Sequence, residues 1–253
     1  MDHNELYHSW LEEEKIAHIK GWDFSHLHGR YTEEDNLPWD YAALITQHLA
    51  PDARVLDIDT GGGEFLLSLG HPCHLLAATE NFPPNVQLCQ DTLPPLGVDF
   101  RPADGCGALP WPDASFDMVI NRHGDFNPVE IHRVLRPGGV FITQQVGADN
   151  DRALVELLLP GTPASFPEQH LAIARRKFEQ AGFTVTQAEE AFRPIRFLDV
   201  GALVWFARII EWEFPGFSVE KCQEQLFALQ NTIDQGGSID GMTHRFLLVA
   251  RKN

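Results

Sequence analysis

Basic residues are scarce in this chain of 253 residues. It has 19 lysines and arginines against 36 aspartates and glutamates, which gives a formal net charge of −17. Proteins that bind nucleic acids need a basic surface that displaces counterions from phosphates. The charge balance therefore argues against a large RNA or DNA substrate, and the acidity itself indicates no more than a well-solvated surface.

Cysteines and long apolar segments are also few. The four cysteines are far apart and form no Cys-x-x-Cys pair, so we expect reduced thiols rather than disulfides. No apolar run reaches the roughly 18 residues that a membrane span requires. The N-terminal segment has neither the basic nor the apolar part of a signal peptide. These features predict a cytoplasmic protein without a membrane partner.

Histidines are numerous, but they lack the spacing of a metal site. The close sets of candidate ligands are His26 with His28, and His71 with Cys73 and His74. Neither set has a second half at ligand spacing. The sequence therefore predicts no metal.

The order of apolar runs predicts an α/β fold. Residues 1–50 are helical in pattern and rich in aromatics, and we interpret them as an N-terminal helical cap. Residues 51–253 form the main domain, in which strand-like runs alternate with helical stretches. Such alternation is typical of a doubly wound, mostly parallel sheet. Two helical stretches at about 198–235 predict a helical insertion before the last strand.

A glycine-rich turn follows the first strand of the main domain, in the segment VLDIDTGGGEFLLSL. Asp57 lies near the tip of the strand, and Gly61 and Gly63 precede the next helix. Glycines let a ligand approach the backbone closely, and ligands of open parallel sheets bind beyond the carboxyl ends of the strands. No P-loop motif is present, and Leu66 replaces the third glycine of a dinucleotide fingerprint, which disfavours a nicotinamide oxidoreductase.

Two acidic residues follow the next strands. Glu80 ends the second apolar run, where a carboxylate can accept hydrogen bonds from both ribose hydroxyls of an adenine nucleoside. Asp104 follows the third run and is placed to accept a hydrogen bond from an adenine amino group. Together with the glycine turn, these residues indicate an adenosine-type cofactor.

These motifs, with the later segments SFDMVI and RVLRPGG, resemble those of class I methyltransferases that use S-adenosylmethionine (SAM). The resemblance is clear over about residues 50–148 and implies a Rossmann-like sheet of seven strands with the last strand antiparallel. It implies that the turn holds the methionine end of SAM, Glu80 the ribose, and Asp104 with Gly105 the adenine. The predicted cofactor contacts are Asp57, Asp59, Thr60, Gly61, Gly63, Glu80, Asn81, Asp104, Gly105 and Asn121.

One position departs from the family pattern. Asp59 stands where the family has the first glycine of its turn. If that position requires a positive φ, aspartate tolerates it better than most residues do. We expect SAM binding to be retained, with the Asp59 carboxylate near the sulfonium or the methionine ammonium.

Candidate substrate residues are less sharply defined. His123 follows the fourth strand and is the best candidate for a general base, since an ordinary histidine pKa suits proton transfer; simple packing is the alternative. Arg122 either holds an anionic substrate group or pairs with Asp125. Trp22 and Tyr41 are candidates for substrate contacts in a lid over the cofactor, or for ordinary core packing.

The acceptor is left open by the sequence. SAM-dependent methylation of a small molecule is the leading prediction. Methylation of RNA or protein is an alternative, for which Arg122, Arg133 and Arg136 are too few to predict a basic groove. A non-catalytic SAM-binding regulatory module is another, because Asp59 departs from the family pattern and the sequence has no demanding catalytic motif. A homodimer is also left open.

Overall fold

Two compact units make up the structure, a computed structural model that describes residues 2–18 and 24–253. The accessory unit comprises Met1–Asn36, Ala148–Glu168 and Phe192–His244. The core unit comprises Leu37–Gly147, Gln169–Ala191 and Arg245–Asn253. The domain boundary at residue 50 stays a prediction.

Strands and helices alternate along most of the described chain. The strands are β1 (Tyr31–Glu33), β2 (Val55–Ile58), β3 (Leu76–Ala78), β4 (Asp99–Phe100), β5 (Phe116–Arg122), β6 (Leu135–Val146), β7 (Phe183–Phe197) and β8 (Ile239–Lys252). The α-helices are α1 (His3–Ile16), α2 (Tyr41–His48), α3 (Glu64–Ser68), α4 (Pro83–Thr92), α5 (Pro128–Val134), α6 (Arg152–Leu158), α7 (Leu171–Gln180), α8 (Val200–Ile209) and α9 (Gln223–Asp234). Both α8 and α9 lie where the sequence predicts a helical insertion.

The strands form one sheet in the order β1-β7-β8-β6-β5-β2-β3-β4. The strands from β2 to β6 pair in parallel with their neighbours, whereas β8 is antiparallel to β6. These pairings confirm the predicted α/β fold with its antiparallel last strand. The sheet has eight strands instead of the predicted seven, because the short β1 adds to β7 in antiparallel orientation. The strand β1 lies in the polar segment GRYTEED, which contains no apolar run that would indicate a strand.

The centre of the sheet explains where a ligand can bind. All four residues of β2 are buried, as expected for a parallel strand covered on both faces. In register, Asp57 lies beside Ala78 of β3, and Ile58 lies beside Asn121 of β5. The carboxyl ends of β2, β3 and β5 therefore meet at one edge, which is where ligands of such sheets bind.

The accessory unit is built around α8. Nine of the ten residues of this helix are buried, and α1 packs against it. Asp199 caps its N-terminus by accepting a hydrogen bond from the Ala202 amide, and Arg30 binds the same carboxylate with two nitrogens, at 2.6 and 2.9 Å. In the described parts of the chain, no helix combines the length and hydrophobicity of a membrane span.

Aromatic rings fill one side of the core unit. Phe141 of β6 is fully buried, and its ring stacks on that of Phe178 in α7 with the centroids 4.9 Å apart. The Phe126 ring lies edge-on to Phe141 and is tilted against Phe178. The Phe183 ring lies edge-on to Phe178. This cluster joins α7 to the sheet.

Truncation of Phe141 should show how much this cluster contributes. We expect Phe141→Ala to lower the free energy of unfolding by about 3–5 kcal/mol, because it removes a ring and leaves a cavity. Phe166→Ala is the control, since Phe166 is 51% exposed and its change should stay within about 0.5 kcal/mol. Urea unfolding followed by circular dichroism measures both. Equal losses for the two variants would contradict this description of the core.

Candidate active site

Three residues with left-handed backbone conformation shape the turn between β2 and α3. Asp59, Gly61 and Gly63 have φ angles of 55°, 66° and 85°. Gly63 precedes the first residue of α3, and a Cβ on it would come within 2.7 Å of the Leu93 side chain. The Thr60 amide donates to the Thr79 carbonyl at 2.9 Å, which ties the turn to the end of β3. The turn thus needs glycine at Gly63 both for its backbone and for its packing.

The buried carboxylate of Glu80 joins this turn to the start of α4. Its Oε2 accepts a hydrogen bond from the Gly61 amide at 2.8 Å. Its Oε1 accepts from the amides of Asn81 and Phe82, both at 2.9 Å. Hydrogen bonds to a carboxylate are stronger than those between neutral groups. Glu80 therefore fixes the turn relative to the first residues after β3.

A cysteine of α4 supports the same turn. The Cys89 thiol is buried and donates to the Gly61 carbonyl oxygen, with the two atoms 3.0 Å apart. Burial, and then the charge of Glu80, raise the pKa of this thiol to about 12. The group stays protonated at neutral pH and acts as a donor. Nothing in its sequence spacing predicts this role.

Asp57 stabilises the turn through a hydrogen bond with Thr60. It is buried, and its Oδ2 accepts a hydrogen bond from the Thr60 hydroxyl at 2.6 Å. Burial raises the pKa of Asp57 to about 7, against the opposing effects of the Thr60 hydrogen bond and the Arg122 charge. Asp57 and Thr60 are thus paired with each other at the end of β2.

Asp59 carries an unpaired acceptor at the centre of this region. Its Oδ1 is buried and has no hydrogen-bond partner. Burial raises the pKa of Asp59 to about 7, and the charges of Glu80, Asp125 and Asp104 add to the shift. A buried carboxylate oxygen without a partner is costly. At this place the structure favours either a proton or a cation.

Asn121 and Tyr41 are engaged with the protein itself. The Asn121 side chain is fully buried and donates to the Ile58 carbonyl at 3.0 Å. It also accepts from the side chains of Thr143 and Gln145. The Tyr41 hydroxyl donates to the Asn121 carbonyl at 2.9 Å. Both residues link β5 to its neighbours, so the structure places them in the packing beneath the turn.

Asp104 and Gly105 lie on a second turn that meets the first. Asp104 Oδ1 accepts a hydrogen bond from the Cys106 amide at 2.9 Å. A Cβ on Gly105 would lie 2.3 Å from the carbonyl oxygen of Asp125 and 2.7 Å from Ile58 Cγ2. Gly105 therefore lets this turn pack against the end of β2 and the loop after β5.

Gly124 plays a similar part on the loop after β5. A Cβ there would lie 2.5 Å from Asp59 Cβ. Sequence reasoning does not select Gly124, although its position directly after His123 is a usable signal. The three loops that follow β2, β4 and β5 thus meet around Asp59.

An open cavity of about 400 Å³ lies beside Glu80. Its wall includes polar groups of three residues that are predicted to contact the cofactor, namely Glu80, Asn81 and Asp104. The remaining lining residues are Pro83, Val86, Gln87, Gln90, Pro102 and Ala103. This size is within the range of small-molecule sites.

The predicted substrate residues occupy different environments. The Arg122 guanidinium lies over the Phe65 ring, 4.6 Å from its centroid. His123 is exposed and has a φ angle of 65°. Partial burial of its ring and the charges of Arg245 and Arg122 lower its pKa from the ordinary value. The role of His123 as a general base stays a prediction. Trp22 lies outside the described residues.

The histidines considered as metal ligands have other contacts. His26 Nε2 lies 2.7 Å from a carboxylate oxygen of Glu13. His71 Nε2 lies 2.7 Å from the Ala53 carbonyl oxygen and is placed to donate to it. That the protein has no metal stays a prediction.

A Rossmann-like sheet with a glycine turn and a carboxylate after the next strand defines a domain of the class that binds nucleoside cofactors. Residues 56–143 match the family described as a methyltransferase domain. A protein-L-isoaspartate O-methyltransferase from Myxococcus xanthus is 28% identical over 152 residues, which cover 57% of this chain and 71% of the relative.

A second relative is the phthiotriol/phenolphthiotriol dimycocerosates methyltransferase of Mycobacterium tuberculosis. It is 31% identical over 133 residues, so the alignment spans 49% of this chain and 48% of the relative. A solved structure from Deinococcus radiodurans R1, of a functionally unknown protein, superposes with a TM-score of 0.59. It is 16% identical and covers 88% of this chain and 91% of its own, which shows the fold alone.

Residues 56–143 therefore match a methyltransferase domain, and both relatives are named methyltransferases, in agreement with the family predicted from the motifs. SAM dependence is implied by the family. The names of the two relatives refer to different acceptors, so they do not identify the acceptor of this chain.

The packing of Gly105 can be tested against a glycine two positions away. We expect Gly105→Ala to lower the free energy of unfolding by about 1–3 kcal/mol, because its Cβ overlaps backbone atoms of the neighbouring loop. Gly107→Ala is the matched control, since its Cβ would come no closer than 3.4 Å to another atom. Thermal unfolding compares the two, and an equally tolerated Gly105→Ala would show that the three loops are not in close contact.

Proposed function

We propose that this protein transfers the methyl group of SAM to a small-molecule acceptor and binds SAM at the turn after β2. The observation that carries the proposal is the position of Glu80. Its carboxylate holds the glycine turn through the Gly61 amide and also lines the 400 Å³ cavity. A nucleoside in that cavity would lie next to the turn that receives its amino-acid end.

The residues present fit such a cofactor. SAM carries an ammonium and a sulfonium group, and Asp59 offers a buried carboxylate oxygen that lacks a hydrogen-bond partner. Three more carboxylates, those of Glu80, Asp104 and Asp125, make the surroundings negative. This electrostatic environment favours a cationic ligand and disfavours a dinucleotide with its two phosphates.

Each predicted contact then has a defined task. Gly61 and Gly63 expose the backbone to the amino-acid end, with Asp57 and Thr60 fixing the turn beneath them. Glu80 and Asn81 bind the ribose, and Asp104 with Gly105 binds the adenine. Asn121 supports the site from β5. When bound, SAM supplies a methyl group that is already activated by its sulfonium. The protein has to orient the acceptor and exclude water.

Charge supports a small acceptor over RNA. Arg133 and Arg136 are two of the three arginines that an RNA-binding groove could use, and both are already paired with carboxylates. Arg133 binds Glu130 at 2.8 Å, and Arg136 binds Asp117 at 2.7 Å. Their charges are therefore largely compensated. A cytoplasmic location belongs to the same proposal, and the homodimer and protein methylation remain alternatives for experiment.

A non-catalytic SAM-binding module is the second candidate, and it makes a distinct prediction. Tritiated SAM and the low-molecular-weight fraction of a cell extract provide the assay. Label transfer that depends on the protein supports the enzyme. Tight binding of SAM without any transfer supports the module.

Substitution of Glu80 tests the cofactor site directly. We expect Glu80→Gln to weaken binding of S-adenosylhomocysteine at least tenfold, which corresponds to about 1.4 kcal/mol. In glutamine the charge is lost and one of the two acceptor oxygens becomes an NH₂ group, which faces backbone N–H donors, so the turn loosens. Isothermal titration calorimetry of the full chain measures the affinity.

The matched control for this variant is Asp91→Asn. Asp91 is exposed on α4, and its carboxylate accepts a hydrogen bond from Gln87 at 3.1 Å. The Asp91→Asn variant should bind S-adenosylhomocysteine with the affinity of the wild type. If Glu80→Gln also bound with wild-type affinity, Glu80 would have no place in the cofactor site.

The raised pKa of Asp59 predicts that cofactor binding depends on pH. A carboxyl group with a pKa of about 7 is mostly neutral below that pH in the free protein and ionised above it. Only the ionised form attracts the ammonium group, which is the one cationic group of S-adenosylhomocysteine. We therefore expect the affinity for S-adenosylhomocysteine to rise roughly tenfold from pH 5.5 to 7.5 and then to level off.

Asp59→Asn provides the comparison, because it removes the titrating group and keeps the shape. Calorimetry at the same pH values should show a flatter profile and a lower affinity at pH 7.5. A pH profile unchanged by Asp59→Asn would assign the titration to another group, with Asp57 as the next candidate.

A further inference from the structure

Three side chains of the core unit form a continuous hydrogen-bonded chain that ends at His123. The Trp39 indole nitrogen donates to Gln144 Oε1 at 2.8 Å. Gln144 Nε2 lies 3.2 Å from His123 Nε2. The backbone reinforces the contact, because the His123 amide donates to the Gln144 carbonyl at 2.9 Å.

The chemistry of these groups fixes the direction of each hydrogen bond. An indole N–H can only donate, so the Gln144 atom that faces Trp39 must be its oxygen. The other end of the same amide is then the NH₂ group, which can only donate. His123 Nε2 must therefore accept and carries no proton. A neutral imidazole in this state has its proton on Nδ1.

Positive charges around the ring also disfavour protonation of His123. The charged groups that face His123 are Arg122, which precedes it, and Arg245 of β8. Both oppose a second proton on the ring. A protonated Nε2 would also point its hydrogen at the Gln144 NH₂ group. The surroundings thus favour one neutral form of His123 over its other tautomer and over its cation.

We propose that Trp39 and Gln144 are positioning residues that hold His123 as its neutral Nδ1–H tautomer. This rests on the proposed function and on the prediction from sequence that His123 faces the acceptor molecule. The only ring nitrogen left for an acceptor is then a hydrogen-bond donor. Such a ring binds an oxygen atom of the acceptor, for instance a carbonyl or carboxylate oxygen, and does not remove a proton from it. His123 is therefore a binding group and not a general base.

The wild-type protein tests this without any ligand. Long-range ¹H–¹⁵N spectra of the ¹⁵N-labelled full chain distinguish protonated from unprotonated ring nitrogens, and the signals lost in His123→Asn identify His123. We expect an unprotonated Nε2 and a protonated Nδ1 at pH 7, with no cation formed down to pH 5.5. A proton on Nε2 at pH 7, or a titration near the ordinary histidine pKa, would overturn the proposal.

Two variants test whether Trp39 and Gln144 cause this state. Gln144→Glu replaces the NH₂ donor with a carboxylate, so the His123 pKa should rise by about 1–3 units and Nε2 should become protonated. Trp39→Phe keeps a ring but removes the donor that orients the amide, so both tautomers should appear. Gln235→Glu is the control, because Gln235 is exposed directly after the end of α9. It should leave the signals of both His123 ring nitrogens unchanged. An unchanged His123 in both test variants would contradict the positioning role.

Calorimetry with S-adenosylhomocysteine separates this proposal from the proposed function. Loss of the predicted tautomer with intact cofactor binding would refute only the role of His123. Absence of cofactor binding with the predicted tautomer present would refute only the methyltransferase site.

Discussion

The carboxylate of Glu80 accepts hydrogen bonds from two segments that the sheet brings together, the glycine turn after β2 and the start of α4. Three backbone amides, those of Gly61, Asn81 and Phe82, donate to its two oxygens. Without an acceptor there, these amides would have to find water at the end of a buried sheet. The shape of the turn, the cavity beside it and the approach of the next loop all depend on this interaction.

Much of this arrangement is predictable from the sequence because it is local. The apolar run of β2, the glycines that follow and the acidic residue after β3 are visible as motifs, and parallel pairing then places them at one edge. The contacts between distant segments are not visible in this way. Cys89 beneath Gly61, or Gly124 against Asp59, depends on three-dimensional approach and has no periodic signal. The strand β1 likewise gives no signal, because its polar segment contains no apolar run.

Protonation states illustrate the same limit. From sequence alone, His123 has an ordinary pKa and Asp59 is an ordinary carboxylate. In the structure, desolvation and the neighbouring charges of Arg245 and Arg122 lower the pKa of His123, while burial and neighbouring carboxylates raise that of Asp59. Asp59 is thus a group that gains or loses a proton near neutrality, and His123 is, in our proposal, a neutral hydrogen-bond donor. A cationic cofactor is consistent with the carboxylate of Asp59, and an acceptor bound through an oxygen atom is consistent with the proposed form of His123.

Amide chemical shifts of the ¹⁵N-labelled protein, recorded as S-adenosylhomocysteine is added, test most directly whether the Glu80-centred turn receives the cofactor. The account predicts that the largest changes occur at Gly61, Asn81 and Gly105, which belong to the three segments assigned to its amino-acid end, ribose and adenine. Saturable binding that leaves these three amides unchanged and shifts residues of the accessory unit instead would contradict it.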